Sequence, residues 1–332
     1  MILPSPRKVT NFPGPKTATL QFVAQTLVFA ASRLVSTPGA VNFHRSMRIP
    51  LACLPVLLSL AVPSLRAAGD PKEILRCALR MDARNRELER SYTYVQRDEE
   101  RTLDGAGNVK RRESKTWDVI PLQGSRYRRL IQRDDRPLSP KEEQQEEAAR
   151  QKREAARRKI RELRARETPE QRQKRLDARE RARKREQEQM DEVVEGFDLR
   201  LVGEEQVDGV PVWVIEGAPR KGYKFNTKET ALILSRLRGR IWVSKSDYQP
   251  VRIDAETTDT ISIGAVLARI YKGTRIHVEY TFVNGELWLP RREAFSLSGR
   301  ILLLKGLHQE GDSSYSSYKK FSADSRIVDI DQ

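Results

Sequence analysis

Apolar positions recur along this chain with two clear periods and then, over one long stretch, with none. From Asp70, "DPKEILRCALRMDARNRELERS" places Ile74, Ala78, Met81 and Leu88 at helical spacing. Asp70 stands as N-cap, Pro71 at the first helical position and Glu73 as the partner of a capping box, so an amphipathic helix with one narrow apolar face is expected. The period then falls to two. "SYTYVQRDEERTL" and "VKRRESKTWDVIPL" flank the turn "DGAGN", and "QGS" at 123–125 leads into "RYRRLIQRD". No helical crossover separates these strands, which predicts an antiparallel meander.

Alternation returns after residue 196. "FDLRLVGEEQV" alternates Phe197, Leu199 and Leu201, and "DG" at 208–209 turns it into "VPVWVIEGAP". "TALILSRLR" at 230–238 predicts a short apolar helix, and "GRIWVSKSDYQPVRIDAET" two strands around "KSDYQP". "TISIGAVLARIYKG" is an apolar patch that fits a helix or an irregular segment. In "TRIHVEYTFVNGELWLPRREAFSLSG", Ile276, Val278, Tyr280 and Phe282 share one face, His277, Glu279 and Thr281 the other, and "NG" at 284–285 makes the turn. "RILLLKGLHQ" and "SSYSSYKKFSAD" complete the sheet.

Between these two blocks, residues 139–196 carry almost no apolar pattern. Ser139, Pro140 and Glu142 spell cap, first helical residue and box partner; Thr168, Pro169 and Gln171 do so again. A proline inside one rod would break it, so two helices are expected. Ile160, Leu163, Leu176 and Met190 are too sparse for the sustained seam of a coiled coil. Glu–Arg spacings such as Glu154–Arg158 and Glu162–Arg166 stabilise an exposed helix by roughly 0.2–0.5 kcal/mol each. The segment reads as a solvated helical spacer.

The net charge of +16 over 332 residues changes this picture little once it is located. Residues 1–69 hold seven Lys/Arg and no acid; residues 141–192 hold 18 bases against 14 acids and no aromatic residue. A nucleic-acid arm would be acid-poor and interleaved with aromatics, so no nucleic-acid partner is expected. The acid-free start contains "MRIPLACLPVLLSLAVPSLRAAGD" from Met47: a basic residue, an apolar run from Leu51 to Val62, then Ala67, Ala68 and Gly69. That is the pattern of a cleavable secretory signal, and the run is too short for a membrane span of about 20 residues. Residues 1–46 then read as an upstream extension, with residues 47–69 as the signal. Cys53 lies inside the apolar run rather than at its end, which argues against lipidation. Cleavage would leave Cys77 alone, with no internal disulfide to form.

Motifs for chemistry are sparse. His277 and His308 stand far apart, with no paired Cys and no H-x-x-x-H spacing, so no metal site or cofactor is expected. There is no nucleophile elbow and no phosphate loop; Gly105 and Gly107 lack the third glycine and the following helix. The chain reads as non-enzymatic.

The order of these elements resembles the LolA/LolB-like superfamily of lipoprotein-sorting periplasmic proteins. The resemblance is carried by the capped first helix, the three-strand meander, "LVGEEQVDGVPVWVIEG", "RGRIWVSKSDYQPVRIDAE", "VEYTFVNGELWLPRR" and "YSSYKKF", over residues 70–138 and 197–325. It implies an α+β, mainly antiparallel β fold: a curved, incomplete and unclosed β-barrel with N-terminal and lid helices. One such domain would comprise residues 70–138 and 197–332, with 139–196 as an inserted charged helical pair that typical carriers lack. It also implies an exported periplasmic protein of the bacterial cell envelope that binds an acyl chain, lipid or lipoprotein on its concave face. Candidate residues for that face are Ile276, Val278, Tyr280, Phe282, Val212, Val214, Ile241, Val243, Leu287 and Leu289. The alternative is a self-filled barrel that acts as an interaction module, its helices at 139–196 contacting an envelope protein.

Export carries its own test. N-terminal sequencing of the native protein should find a first residue near Asp70 in an envelope fraction; a cytoplasmic chain starting at Met1 would overturn the signal reading.

Overall fold

The computed structural model describes residues 69–122, 125–263, 268–301 and 305–321. The segments read as an extension and a secretion signal lie outside these residues, apart from Gly69. Helix α1 (Pro71–Leu88) is followed by a short 3-10 turn and by strands β1 (Tyr92–Leu103), β2 (Val109–Leu122), β3 (Ser125–Arg133) and β4 (Arg136–Pro137). Two long helices come next, α2 (Pro140–Ala165) and α3 (Pro169–Gly196). Strands β5 (Phe197–Val207) and β6 (Val210–Pro219) lead to the short helix α4 (Lys228–Leu234). The chain finishes with β7 (Leu237–Ser244), β8 (Pro250–Thr257), β9 (Ile261–Ile263), β10 (Ala268–Ile270), β11 (Arg275–Val283), β12 (Leu287–Ile301) and β13 (Lys305–Lys320).

All the strands belong to one antiparallel sheet, in the order β4-β3-β2-β1-β13-β12-β11-β8-β7-β6-β5. The hairpin β9–β10 attaches to the far end of β12, where Ile270 stands opposite Gly299. Strands β4 and β5 end the order and, among the described residues, do not pair with each other, so the sheet is an unclosed barrel. Among the described strands β13 joins its two halves: it pairs with β1 along one edge and with β12 along the other. Glycine makes the second contact close. A Cβ on Gly311 would lie 2.1 Å from the Phe295 ring, which packs across that position.

Local chemistry explains the turns. Asp208–Gly209 and Asn284–Gly285 have positive φ at both central positions, the conformation that right-twisted hairpins require. Asp104 closes the β1–β2 turn by accepting from the Ala106 and Asn108 backbone N–H groups, both at 2.9 Å. Both capping boxes at Ser139 and Thr168 form. A third box, Thr227 with Thr230, starts α4 two residues before the expected position.

Three expectations need correction. The buried stripe of α1 is Ile74, Leu75, Ala78 and Leu79, continued by Asp82 and Asn85, while Leu88 is exposed and Met81 half-buried. The expected apolar stripe is therefore displaced, and its second half is polar. Within the patch at 260–273, read as helical or irregular, residues 261–263 and 268–270 form a strand pair, and Ile261 and Ile270 are buried in the main core. The charged insertion is also shorter than expected. No residue of α2 is buried, but the last turn of α3 is core: Val193 and Val194 pack with Leu75, Leu79, Phe197 and Leu234. Glu192 is buried there and accepts the Asn226 backbone N–H.

This boundary predicts the outcome of two deletions. Replacing residues 159–185 with a flexible linker of about 20 residues should leave the melting temperature unchanged within a degree or two, because loop-closure entropy varies slowly with length. Extending the deletion through Val194 removes two buried valines. It should cost several kcal/mol, since each buried side chain contributes about 1.5–3 kcal/mol. Thermal melts of both variants decide the boundary; equal melting temperatures would place the whole of α3 outside the core.

Candidate ligand site

Helix α1 covers one face of the sheet, here termed inner, against β5, β7, β8 and β12. Residues directly opposite across an antiparallel pair share a face. One register row crosses this face from β6 to β2: Ile215, Ile241, Ile253 and Val278, then Glu293, Ser313, Asp98 and Lys115. The row changes character at a single step, between β11 and β12. Half of the inner face is apolar, and the other half is charged and hydrogen-bonding.

Each half carries a cavity. The apolar one, about 110 Å³, lies between α1 and the sheet, walled by Leu75, Leu79, Phe197, Ile215, Ile241 and Ile253. The polar one, about 520 Å³, is walled by Tyr94, Asp98, Trp117, Arg128, Glu293 and Tyr315 among others. Asp82 of α1 lines both. Only the larger falls within the usual 300–1,000 Å³ of small-ligand pockets.

The polar cavity is built from internal pairs. Asp98 accepts from Arg128 at 2.7 Å, Gln96 and Ser313 at 2.8 Å and the Trp117 indole at 2.9 Å. The Arg128 guanidinium also lies over the Trp117 ring, 4.6 Å from its centroid. Arg126 pairs with Glu89 at 2.5 Å, and Arg86 with Asp82. Glu293 differs from these carboxylates: it accepts the Tyr315 hydroxyl at 2.8 Å, and burial beside Glu89 and Asp98 raises its pKa. Burial likewise pushes the Tyr94 hydroxyl up to about 12 and raises Tyr315 well above its ordinary value, so both stay neutral.

Of the ten residues expected to bind ligand, few meet a cavity. Ile241 lines the apolar one, and Tyr280 and Leu289 line the polar one. Val278 and Ile276 are buried core residues, as are Val212 and Val214. Val243 packs under α1 with Ile74 and Ala78, and Leu287 packs with Tyr92 and Val283. Register also divides the set. Val214 stands opposite Trp242 whereas Ile215 stands opposite Ile241, so Val212 and Val214 face away from Ile241 and Val243. A bulge at Arg291 of β12 shifts the pairing between Glu279 and Tyr280, and beyond it Phe282 is 49% exposed while Val283 is buried. The expected single apolar surface is therefore divided between core, cavity and solvent.

The polar cavity was missed, although a signal for it exists. In "QRDEER" at 96–101 both alternating sets of positions are polar, so this stretch of β1 offers no apolar face to a core. The opposite face of the sheet bears a charged network in which His277 contacts Asp254 at 2.5 Å and Glu279 at 3.0 Å. Among the described residues no group of His, Cys, Asp and Glu could hold a metal ion, and no helix is long and apolar enough to cross a membrane.

No family model matches the chain, and no curated protein does. Solved structures do. A DUF1329 family protein from Desulfovibrio piger matches at 14% identity, covering 77% of this chain and 95% of its own, with a TM-score of 0.26. An outer membrane lipoprotein-sorting protein domain from Vibrio parahaemolyticus matches at 11% identity, covering 78% and 96%, with a TM-score of 0.27. A LolA superfamily protein from Nitrosomonas europaea matches at 12% identity, covering 77% and 95%, with a TM-score of 0.24. Two of these three bear names from the superfamily that the sequence resembles. The superpositions are loose and bring no ligand or partner with them; the architecture rests on the strand order itself.

The Asp82 carboxyl gives α1 a pH dependence. Burial pushes its pKa up to about 7, against the partial relief that Arg86 provides. An unfolded aspartate titrates near 3.9, so below about pH 4 both states are protonated and no penalty exists. Between about 4 and 7 the unfolded chain alone ionises, and stability falls as pH rises. Asp82→Asn removes this slope. Denaturant unfolding at pH 4, 5.5 and 7.5 should show wild type losing stability relative to the variant as pH rises; a constant difference would overturn the assignment.

Proposed function

We propose that this protein is an exported, non-catalytic binder of amphipathic molecules in the cell envelope, with α1 as the lid of its site. The carrying observation is the register row that turns from Ile215, Ile241, Ile253 and Val278 to Glu293, Ser313, Asp98 and Lys115. An alkyl or acyl tail lies under α1 on the apolar half, and a polar head fills the larger cavity. A small movement of α1 at Asp82, which both cavities share, merges the two. Ion pairs from Lys72 and Arg76 to Glu195 tie the start of α1 to α3. They are part-exposed and therefore weak, as a lid requires. The export pattern at 47–69 supports an envelope location.

Val278 is a poor probe of this site, because a charge at a fully buried core position tests folding rather than binding. Ile241→Trp is the better variant, since it fills the apolar cavity from the sheet side. Wild-type protein should bind a fluorescent alkyl probe with an uncharged head, and Ile241→Trp should weaken that binding at least tenfold. Overpacking costs about 1–3 kcal/mol, so a cooperative melt must accompany the measurement. Phe282→Ala, at an exposed position, should bind as wild type does. Folded wild-type protein that takes up no alkyl probe would overturn the reading in favour of an interaction module.

A further inference from the structure

We infer that the polar cavity accepts a cationic ammonium head group, with Glu293 as its counter-ion. The inference deepens the amphiphile-binding reading and rests on it for the tail. Its evidence is an accounting of charge within the cavity. Each arginine in the wall is already engaged: Arg86 by Asp82, Arg126 by Glu89 and Arg128 by Asp98. Among the described residues Glu293 has no such partner. Its one hydrogen bond is from the neutral Tyr315 hydroxyl, and the charged groups that act on it, Glu89 and Asp98, are both negative. Lys115 belongs to the same register row but stands three strands away, roughly 14 Å at the usual strand spacing. A half-buried carboxylate beside other acids is costly unless a cation reaches it.

The walls suit that cation. Tyr94, Trp117 and Tyr315 all line the cavity, and the Tyr94 and Tyr315 rings lie with centroids 5.9 Å apart. Aromatic faces beside a carboxylate are the surroundings in which ammonium groups are recognised. The cavity already holds one cation in this manner, since Arg128 rests on Trp117 with Asp98 as its acceptor. An anionic head, phosphate or carboxylate, would find each wall guanidinium taken and would meet Glu293, Glu89 and Asp98, with the Lys115 ammonium on the far wall as the cation left to it.

The test sets head groups against one another on a common tail. Dodecylammonium, dodecanoate and dodecanol, each below its micellar concentration at pH 7, compete with the uncharged fluorescent alkyl probe. Dodecylammonium should displace the probe at a concentration at least tenfold lower than dodecanoate. Glu293→Gln, nearly the same shape, should abolish that preference and leave dodecanol unchanged. Tyr315→Phe, which keeps the carboxylate, should retain it. Thermal melts establish that both variants fold. Equal or better displacement by dodecanoate, or an ammonium preference that survives Glu293→Gln, overturns the inference. Ethylammonium separates a soluble amine from an amphiphile: at millimolar concentration it should bind wild type, followed by calorimetry, and not Glu293→Gln. If no alkyl probe binds but ethylammonium does, the amphiphile reading fails while the cation site stands; if neither binds, both fail.

Discussion

The fold depends on a single strand that is paired on both sides. Residues 92–137 and 197–301 each form a run of antiparallel neighbours, yet among the described residues neither run pairs directly with the other. β13 supplies the link, standing opposite β1 from Tyr92–Lys320 to Thr102–Gln309 and opposite β12 from Arg292–Ser314 to Ile301–Lys305. Its sequence suits a place between two partners rather than a core. Ser313, Ser314, Ser316 and Ser317 are small and polar, and Gly311 leaves room for the Phe295 ring. Long-range pairing of this kind costs loop-closure entropy before it returns hydrogen bonds.

Because β13 joins the halves, it also creates the amphipathic inner face. The apolar side chains come from β6, β7, β8 and β11, and the polar ones from β12, β13, β1 and β2. Helix α1 matches that division along its own length. Its first turns bury Ile74, Leu75, Ala78 and Leu79, and its later turns present Asp82 and Asn85, the latter bonded to Gln249 at 2.7 Å. A helix of this pattern docks in one register only: a slip by a turn would place Asp82 on the isoleucines, where an unpaired carboxylate costs several kcal/mol. The polar residues of α1 thus fix where the lid sits, and the apolar ones hold it there.

Local pattern made much of this legible in the sequence. The caps at Ser139 and Thr168, the Asp-Gly and Asn-Gly hairpins and the alternation of Ile276, Val278 and Tyr280 each depend on neighbours a few residues away, and each appears at the expected place. What escaped depends on distant partners. Strand β9–β10 needs β12 to be a strand, and without that partner an apolar run of this length fits a helix equally well. The grouping of the candidate site residues failed for a related reason. Alternation gives the face of a residue within its own strand but not which faces of β6, β7 and β11 coincide; register decides that, and a bulge at Arg291 shifts it again. Glu293 is the least legible residue, because nothing near it in "LPRREAFS" separates a half-buried carboxylate in a cavity wall from its exposed neighbours Arg291 and Arg292.

Topology also gives a physical reason for the charged helices. They leave the sheet after β4 and return before β5, and these two strands are its ends. The insertion therefore connects the two edges that a closed barrel would have joined. Strand edges offer free backbone donors and acceptors to other chains, and a connection anchored at both limits that access. Anchorage is present at each end. Arg153 and Arg157 lie over the Tyr127 ring at 5.6 and 5.8 Å from its centroid, and Glu142 pairs with Arg133 and Arg136, so α2 starts against β3 and β4. The last turn of α3 is buried beside α1. Between these anchors the helices bury almost nothing and need solubility and stiffness alone, which repeated Glu–Arg spacing supplies without a partner. The charge run is the composition of a bridge between edges, and its ends, rather than its middle, are the parts on which the site depends.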